Sequence, residues 1–193
     1  MYKDNIDDMF KQIYQKVKQD DFLQMTSLNG EIPFWIVSYN PEQEIEIAKA
    51  YGALLKKLER KGIQTLDLNL YNIAMQILEE NVSLEEMFTI ESEMSKQEFK
   101  EAIQSVLDIQ EVLMPQIKNL IDSSNAQVYF ISGVGKVFPY LRSHNILNNL
   151  QNIAKDAPTV MFFPGKYTGR NLQLFGLLTD DNYYRASLLY PQK

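Results

Sequence analysis

Apolar positions recur along this chain with two periods, and the switching between them lays out the fold. Ile6, Met9, Phe10, Ile13 and Val17 fall at helical spacing. They predict an amphipathic helix over 4–19, with Asp4 as its N-cap and acidic residues in its first turn. The run Ile32-Pro33-Phe34-Trp35-Ile36-Val37 is aromatic and β-branched and ends in Ser38-Tyr39-Asn40-Pro41, which reads as a strand and then a turn. Pro41 suits the first turn of the next helix. That helix carries Ile47, Tyr51, Leu54, Leu55 and Leu58 on one face and stops at Gly62. Ile63 to Leu68 is a second strand. Together these form a β–α–β unit, a connection that favours parallel pairing.

The second half repeats the alternation. Leu70, Ile73, Ala74, Ile77 and Leu78 predict a helix after Asn69, and helical spacing resumes at Phe99, Ala102, Ile103, Val106 and Leu107. Pro115 breaks or restarts a helix that ends near Asp122-Ser123-Ser124. Gln127 to Ile131 is a third strand, followed by Ser132-Gly133-Val134-Gly135-Lys136 and by a helix from about Pro139 to Ala154. Thr159 to Phe163 is a fourth strand, closed by Pro164-Gly165. Leu172–Leu178 and Tyr183–Tyr190 are two more strand-like runs, expected as an antiparallel extension. The predicted fold is a single α/β domain over 1–193. It has three layers, with a mostly parallel mixed sheet of about five or six strands and helices on both faces. A helical, partly exposed acidic insertion occupies about 79–122.

Composition narrows the chemistry. The chain has 193 residues, a net charge of −6 and no cysteine, so disulfides, thiolate metal sites and thiol nucleophiles are excluded. No secretory h-region and no membrane-length apolar run is present, so a soluble, cytoplasmic protein without direct membrane contact is expected. Ten acidic residues between Glu79 and Glu111 face only Lys96 and Lys100, which gives that stretch −8 and leaves +2 for the rest. An electropositive face outside the acidic stretch is compatible with this count. A strong duplex-binding stripe is not.

In an open α/β sheet, ligands bind beyond the carboxyl ends of the strands. The loops there are Ser38-Tyr39-Asn40, Asn69, Ser132 to Lys136, and Pro164 to Tyr167. Gly133-Val134-Gly135-Lys136 sits between a strand and a helix, as a phosphate loop must. However, Phe130 occupies the position of the motif's first glycine, Val137 replaces its Ser or Thr, and Pro139 removes a donor. A tight turn that needs glycine is the simpler reading, with room for weak anion binding. His144 is the only histidine. With no partner for catalysis at helical spacing, it reads as a partner or anion contact, or as a helix residue bonded locally. Asp180-Asp181 is turn chemistry unless Asp67 converges on it to hold a cation. Trp35 reads as core.

Tyr167, Tyr183, Tyr184 and Tyr190, with Arg170 and Arg185, are residue types enriched in interface hot spots, although tyrosine also favours strands for packing alone. Lys136, Arg142, Lys155, Lys166 and Arg170 add a late basic count, suited to a nucleic-acid backbone or to an acidic protein partner. The candidate partner- or anion-binding surface is therefore Asn40, Gly133, Gly135, Lys136, Arg142, His144, Lys166, Tyr167, Arg170, Tyr183, Tyr184 and Arg185. No catalytic residue, metal ligand or cofactor is assigned.

Several stretches in order resemble the BrxB family of BREX phage-exclusion systems. They are Gly30-Glu31-Ile32-Pro33-Phe34-Trp35-Ile36, Asn69-Leu70-Tyr71, Gly133 to Pro139, Leu141 to Leu150, Phe163 to Tyr167, Leu174-Phe175-Gly176 and Asp180 to Ala186. The resemblance runs from about residue 20 to the end. It implies a small cytoplasmic component of a multi-gene defence system that methylates host DNA and blocks phage replication. It implies action by protein association, most directly with the PglZ-like, alkaline-phosphatase-superfamily component, and with DNA only weakly or indirectly. The expectation is a non-catalytic assembly or adaptor protein. The alternative is a nucleotide- or nucleic-acid-binding module of the same complex.

Overall fold

The computed structural model describes residues 5–26, 33–179 and 186–190. Eight α-helices and seven strands alternate along them. Helix α1 (Ile6–Val17) is capped by Asn5, whose side chain accepts the Asp8 amide. The cap is thus Asn5 rather than the expected Asp4, because the Asn5 backbone is extended and its carbonyl already takes the Met9 amide. A short α2 (Asp20–Leu23) leads to β1 (Phe34–Tyr39). Ser38 and Tyr39 continue the strand, so the turn begins at Asn40-Pro41. It is a 3-10 turn, Pro41–Gln43, running into α3 (Glu44–Arg60). Gly62, at φ 84°, ends α3, and the Ile63 amide reaches back to the Leu58 carbonyl, a left-handed C-cap that glycine adopts without strain.

Strand β2 (Thr65–Asn69) is followed by α4 (Leu70–Asn81), which buries the five expected positions. The acidic segment resolves into α5 (Leu84–Glu93) and α6 (Lys96–Val106). Each opens on a capping box, Ser83 with Glu86 and Ser95 with Glu98, in which two orphan amides are satisfied reciprocally. A π-helical turn (Ile109–Leu113) leads into α7 (Met114–Asp122), with Pro115 in its first turn. Strand β3 (Val128–Ser132) and a 3-10 turn (Val134–Lys136) precede α8 (Ser143–Ile153). Helix α8 therefore starts four residues later than Pro139. Residues Val137 to Leu141 close as isolated turns on the Val137 carbonyl, and Arg142 is still extended.

Strand β4 (Thr159–Tyr167) does not close at Pro164-Gly165, where the sequence predicts its end, but runs through it before turning into β5 (Leu172–Leu174) and β6 (Leu178–Thr179). Pro164 has no N–H to donate, and it joins the hairpin through its carbonyl, which accepts the Phe175 amide. A Cβ on Gly165 would lie 2.1 Å from the Gln173 carbonyl oxygen, so only glycine lets the hairpin close. The last strand, β7 (Ser187–Leu188), pairs with β1 in parallel, not antiparallel.

The strand order is β2-β3-β4-β1-β7, all parallel, with the β5–β6 hairpin hung off the far end of β4. Strands β1 and β2 are parallel but not neighbours, because β3 and β4 insert between them. The alternation of side chains sends two cores to opposite faces. Trp35, Val37, Phe130 and Phe162 pack under α1 and α3, where the rings of Phe10 and Phe162 stack at 5.6 Å. Phe34, Ile36, Ile131 and Phe163 pack under α4, α6, α7 and α8. The result is a three-layer α/β fold in which the larger helical layer covers the second face.

Candidate functional site: the groove around Tyr140

At the carboxyl edge of the sheet, several of the candidate residues are held in the protein's own contacts. Asn40 is 1% exposed, and its side chain accepts the Glu42 amide. Gly133, at φ 73°, lets the chain turn against Asn69, whose side chain caps α4; a Cβ would meet Asn69 Oδ1 at 2.8 Å. Gly135 lies under Pro164 and Phe175, with a would-be Cβ 2.9 Å from Pro164 Cγ. Tyr167 is buried and donates its hydroxyl to the Ala186 carbonyl at 2.8 Å, tying β4 to the chain that enters β7. Asp67 accepts from the Tyr51 hydroxyl at 2.7 Å and from Ser132 Oγ at 2.9 Å. Burial, then the Asp67 charge, pushes the Tyr51 phenol far up. Tyr39 is raised likewise, first by burial and then by its hydrogen bond to Glu44. These polar groups are built into the fold.

Among the described residues, open concavities lie where the segment after β3 meets the acidic helices. Gln104 on α6 donates to the carbonyls of Pro139 and Tyr140, each at 3.3 Å, and pins the 137–141 turns to α6. Three hollows surround this bridge, and Tyr140 lines all of them. One is a groove of about 850 Å3 between α6, the π-helical turn and the start of α8, bounded by Lys100, Asp108, Glu111, Arg142 and His144. The second is an apolar cavity of about 150 Å3 walled by Met75, Met87, Phe99 and Ile103, with Tyr71 and Lys136 among its lining residues. The third, of about 470 Å3, lies between Glu91, Met94, Lys96 and Phe99.

Four cations gather around Tyr140, with Glu91, Asp108 and Glu111 standing among them. Both lysines of the acidic stretch, Lys96 and Lys100, line these hollows together with Lys136 and Arg142. Lys118 pairs with Asp122, whereas Lys96, Lys100, Lys136 and Arg142 form no ion pair with another described residue. Of the acids in the groove, Asp108 already accepts the Gln110 and Glu111 amides at 2.9 and 2.8 Å. Helix α8 opens into the groove with no side-chain cap and no acid in its first turn, which leaves a positive helix end facing the space.

The structure thus brings together Lys136, Arg142 and His144 of the sequence-derived candidates. Lys166 and Arg170 are exposed on the β4–β5 hairpin and line none of the three hollows. Tyr183, Tyr184 and Arg185, and the Asp180-Asp181 pair, lie outside the described residues. Sequence reasoning missed Tyr71, Phe99, Lys100, Gln104 and Tyr140. The one signal for them was that Lys96 and Lys100 break an otherwise acidic run. Among the described residues no group of His, Asp and Glu is arranged to hold a metal ion, and no helix is long and apolar enough to cross a membrane.

Fold and site together define a three-layer α/β protein whose helices α5 and α6 help to shape a groove lined by apolar and charged residues. The family model described as "BREX protein BrxB" matches residues 66–189, and the chain belongs to the BrxB family. It is similar to the BREX protein BrxB of Bacillus cereus (strain H3081.97), 32% identical over 185 residues that cover 94% of this chain and 95% of that protein. It is also similar to the BREX protein BrxB of Escherichia coli O9:H4 (strain HS), 29% identical over 180 residues, 93% of this chain and 89% of the relative. No solved structure matches it. The chain is therefore a component of a BREX system.

Proposed function

We propose that the chain acts as a non-catalytic assembly component of its BREX system and that it docks another BREX protein through the surface around Tyr140. The observation that supports this reading is the groove itself. It joins an apolar cavity, tyrosines and four cations on a protein that is otherwise acidic. An apolar core with a polar rim, rich in Tyr and Arg, is the anatomy of a protein interface. Met94, 43% exposed, lines the third hollow and adds apolar surface at its rim. The PglZ-like component is the proposed partner, and the cytoplasm is the proposed location.

Co-purification tests this directly. The tagged chain is expressed with its neighbouring BREX genes and recovered at physiological salt. A PglZ-like protein retained in stoichiometric amount is the expected result. Recovery of the chain alone, or with nucleic acid only, would overturn the adaptor reading in favour of a ligand-binding module.

A further inference from the structure

The groove also has a chemical preference. An apolar cavity of about 150 Å3 has the capacity for a benzene-sized group, and its walls offer Met75, Met87 and Phe99 to pack against one. Methionine and aromatic walls adapt to such a guest. Lys136 is the only charged residue in its lining. Beyond it, Lys96, Lys100 and Arg142 stand in the two flanking hollows, and the uncapped start of α8 opens into the larger one. The acids that share these spaces are Glu91, Asp108 and Glu111.

We propose that this groove binds an acidic peptide segment of a partner protein, seating one aromatic or branched apolar side chain in the cavity and setting its carboxylates against Lys96, Lys100, Lys136 and Arg142. The inference deepens the adaptor reading and rests on it. A peptide fits better than a nucleic acid for two reasons. The cavity takes a single compact apolar group, and Glu91, Asp108 and Glu111 would repel a phosphate chain that carries charge at every unit, whereas a peptide places its carboxylates singly. Cations at the rim would govern association rate and salt sensitivity, and the buried anchor would govern dissociation.

The test uses the full chain and a short fluorescent peptide of Asp and Glu flanking a single Phe. The expected result is binding that weakens as salt is raised. Replacing the peptide's Phe by Ala should weaken it about tenfold, the scale of a buried anchor. The double variant K100E/R142E, with circular dichroism unchanged, should weaken it by at least a similar factor. No binding at low salt, or binding indifferent to both changes, would overturn the inference. Tighter, competing binding of a single-stranded oligonucleotide that loses affinity in the same variant would replace the peptide with nucleic acid. The two readings fail separately. A PglZ-like partner still retained by K100E/R142E would leave the adaptor role standing and remove the groove, while the peptide titration judges the groove even if no BREX protein is retained.

Discussion

At the scale of single residues, most of the polar groups near the sheet edge serve the fold. Gly165 shows this most sharply, since its φ of 152° and the 2.1 Å approach of a would-be Cβ to the Gln173 carbonyl leave no room for a side chain. Gly165→Ala should therefore destabilise the protein by about 3 kcal/mol or more, the range of strained-backbone and overpacking changes, as read from urea unfolding. The buried phenols make a second prediction. Tyr39 and Tyr51 have pKa values raised in the folded state, so their contribution is fully present below the unfolded value of about 10 and is lost as pH rises beyond it. Above that pH the unfolded chain releases protons that the native state holds, and stability should fall by about 1.4 kcal/mol per pH unit for each phenol. Tyr51→Phe should remove one such increment from the alkaline slope. An unchanged slope would mean that Tyr51 titrates alike in both states. None of this coupling was legible in the sequence, because Tyr51, Asp67 and Ser132 meet only once β2 and β3 lie side by side.

At the scale of elements, a helix is legible in the sequence where its periodicity and its cap are both present. Helix α4 buries the five positions its periodicity marks, and Asn69 caps it. The capping boxes Ser83-x-x-Glu86 and Ser95-x-x-Glu98 were equally present in the sequence, yet the acidic stretch was read as one helical insertion rather than as α5 and α6. Helix α5 has no fully buried residue and packs on the core only through half-buried side chains such as Met87, so its cap carries much of its order. Ser83→Ala should raise amide exchange across 84–93 while leaving the global unfolding midpoint nearly unchanged, as hydrogen-exchange mass spectrometry would show. Gln104 matters in a different way. Its two bonds to the Pro139 and Tyr140 carbonyls hold the floor of the groove. Gln104→Ala should weaken partner binding several-fold with only a small change in stability, about 1 kcal/mol. Strand order was the harder part. A parallel pair separated by a long helix gives no local mark of which strands will insert between its members, so β1 and β2 were recognised as parallel but not as separated by β3 and β4.

At the scale of the whole molecule, the groove is a property of topology. Lys96, Lys100, Lys136, Tyr140 and Arg142 come from α6 and from the segment between β3 and α8, and they face one another because both cover the same side of the sheet. The sequence showed a late basic count and an acidic insertion as separate features, and charge counts along a chain do not say which of them will share a surface. Their meeting gives the BrxB chain an apolar-centred patch in which four cations stand among three acids, on a chain of net charge −6. The most direct test is reconstitution. Purified chain and purified PglZ-like component are mixed at physiological salt and resolved by size-exclusion chromatography with light scattering. A complex of defined stoichiometry that the K100E/R142E variant fails to form is the predicted result. Two species that elute separately at every concentration would contradict the adaptor role.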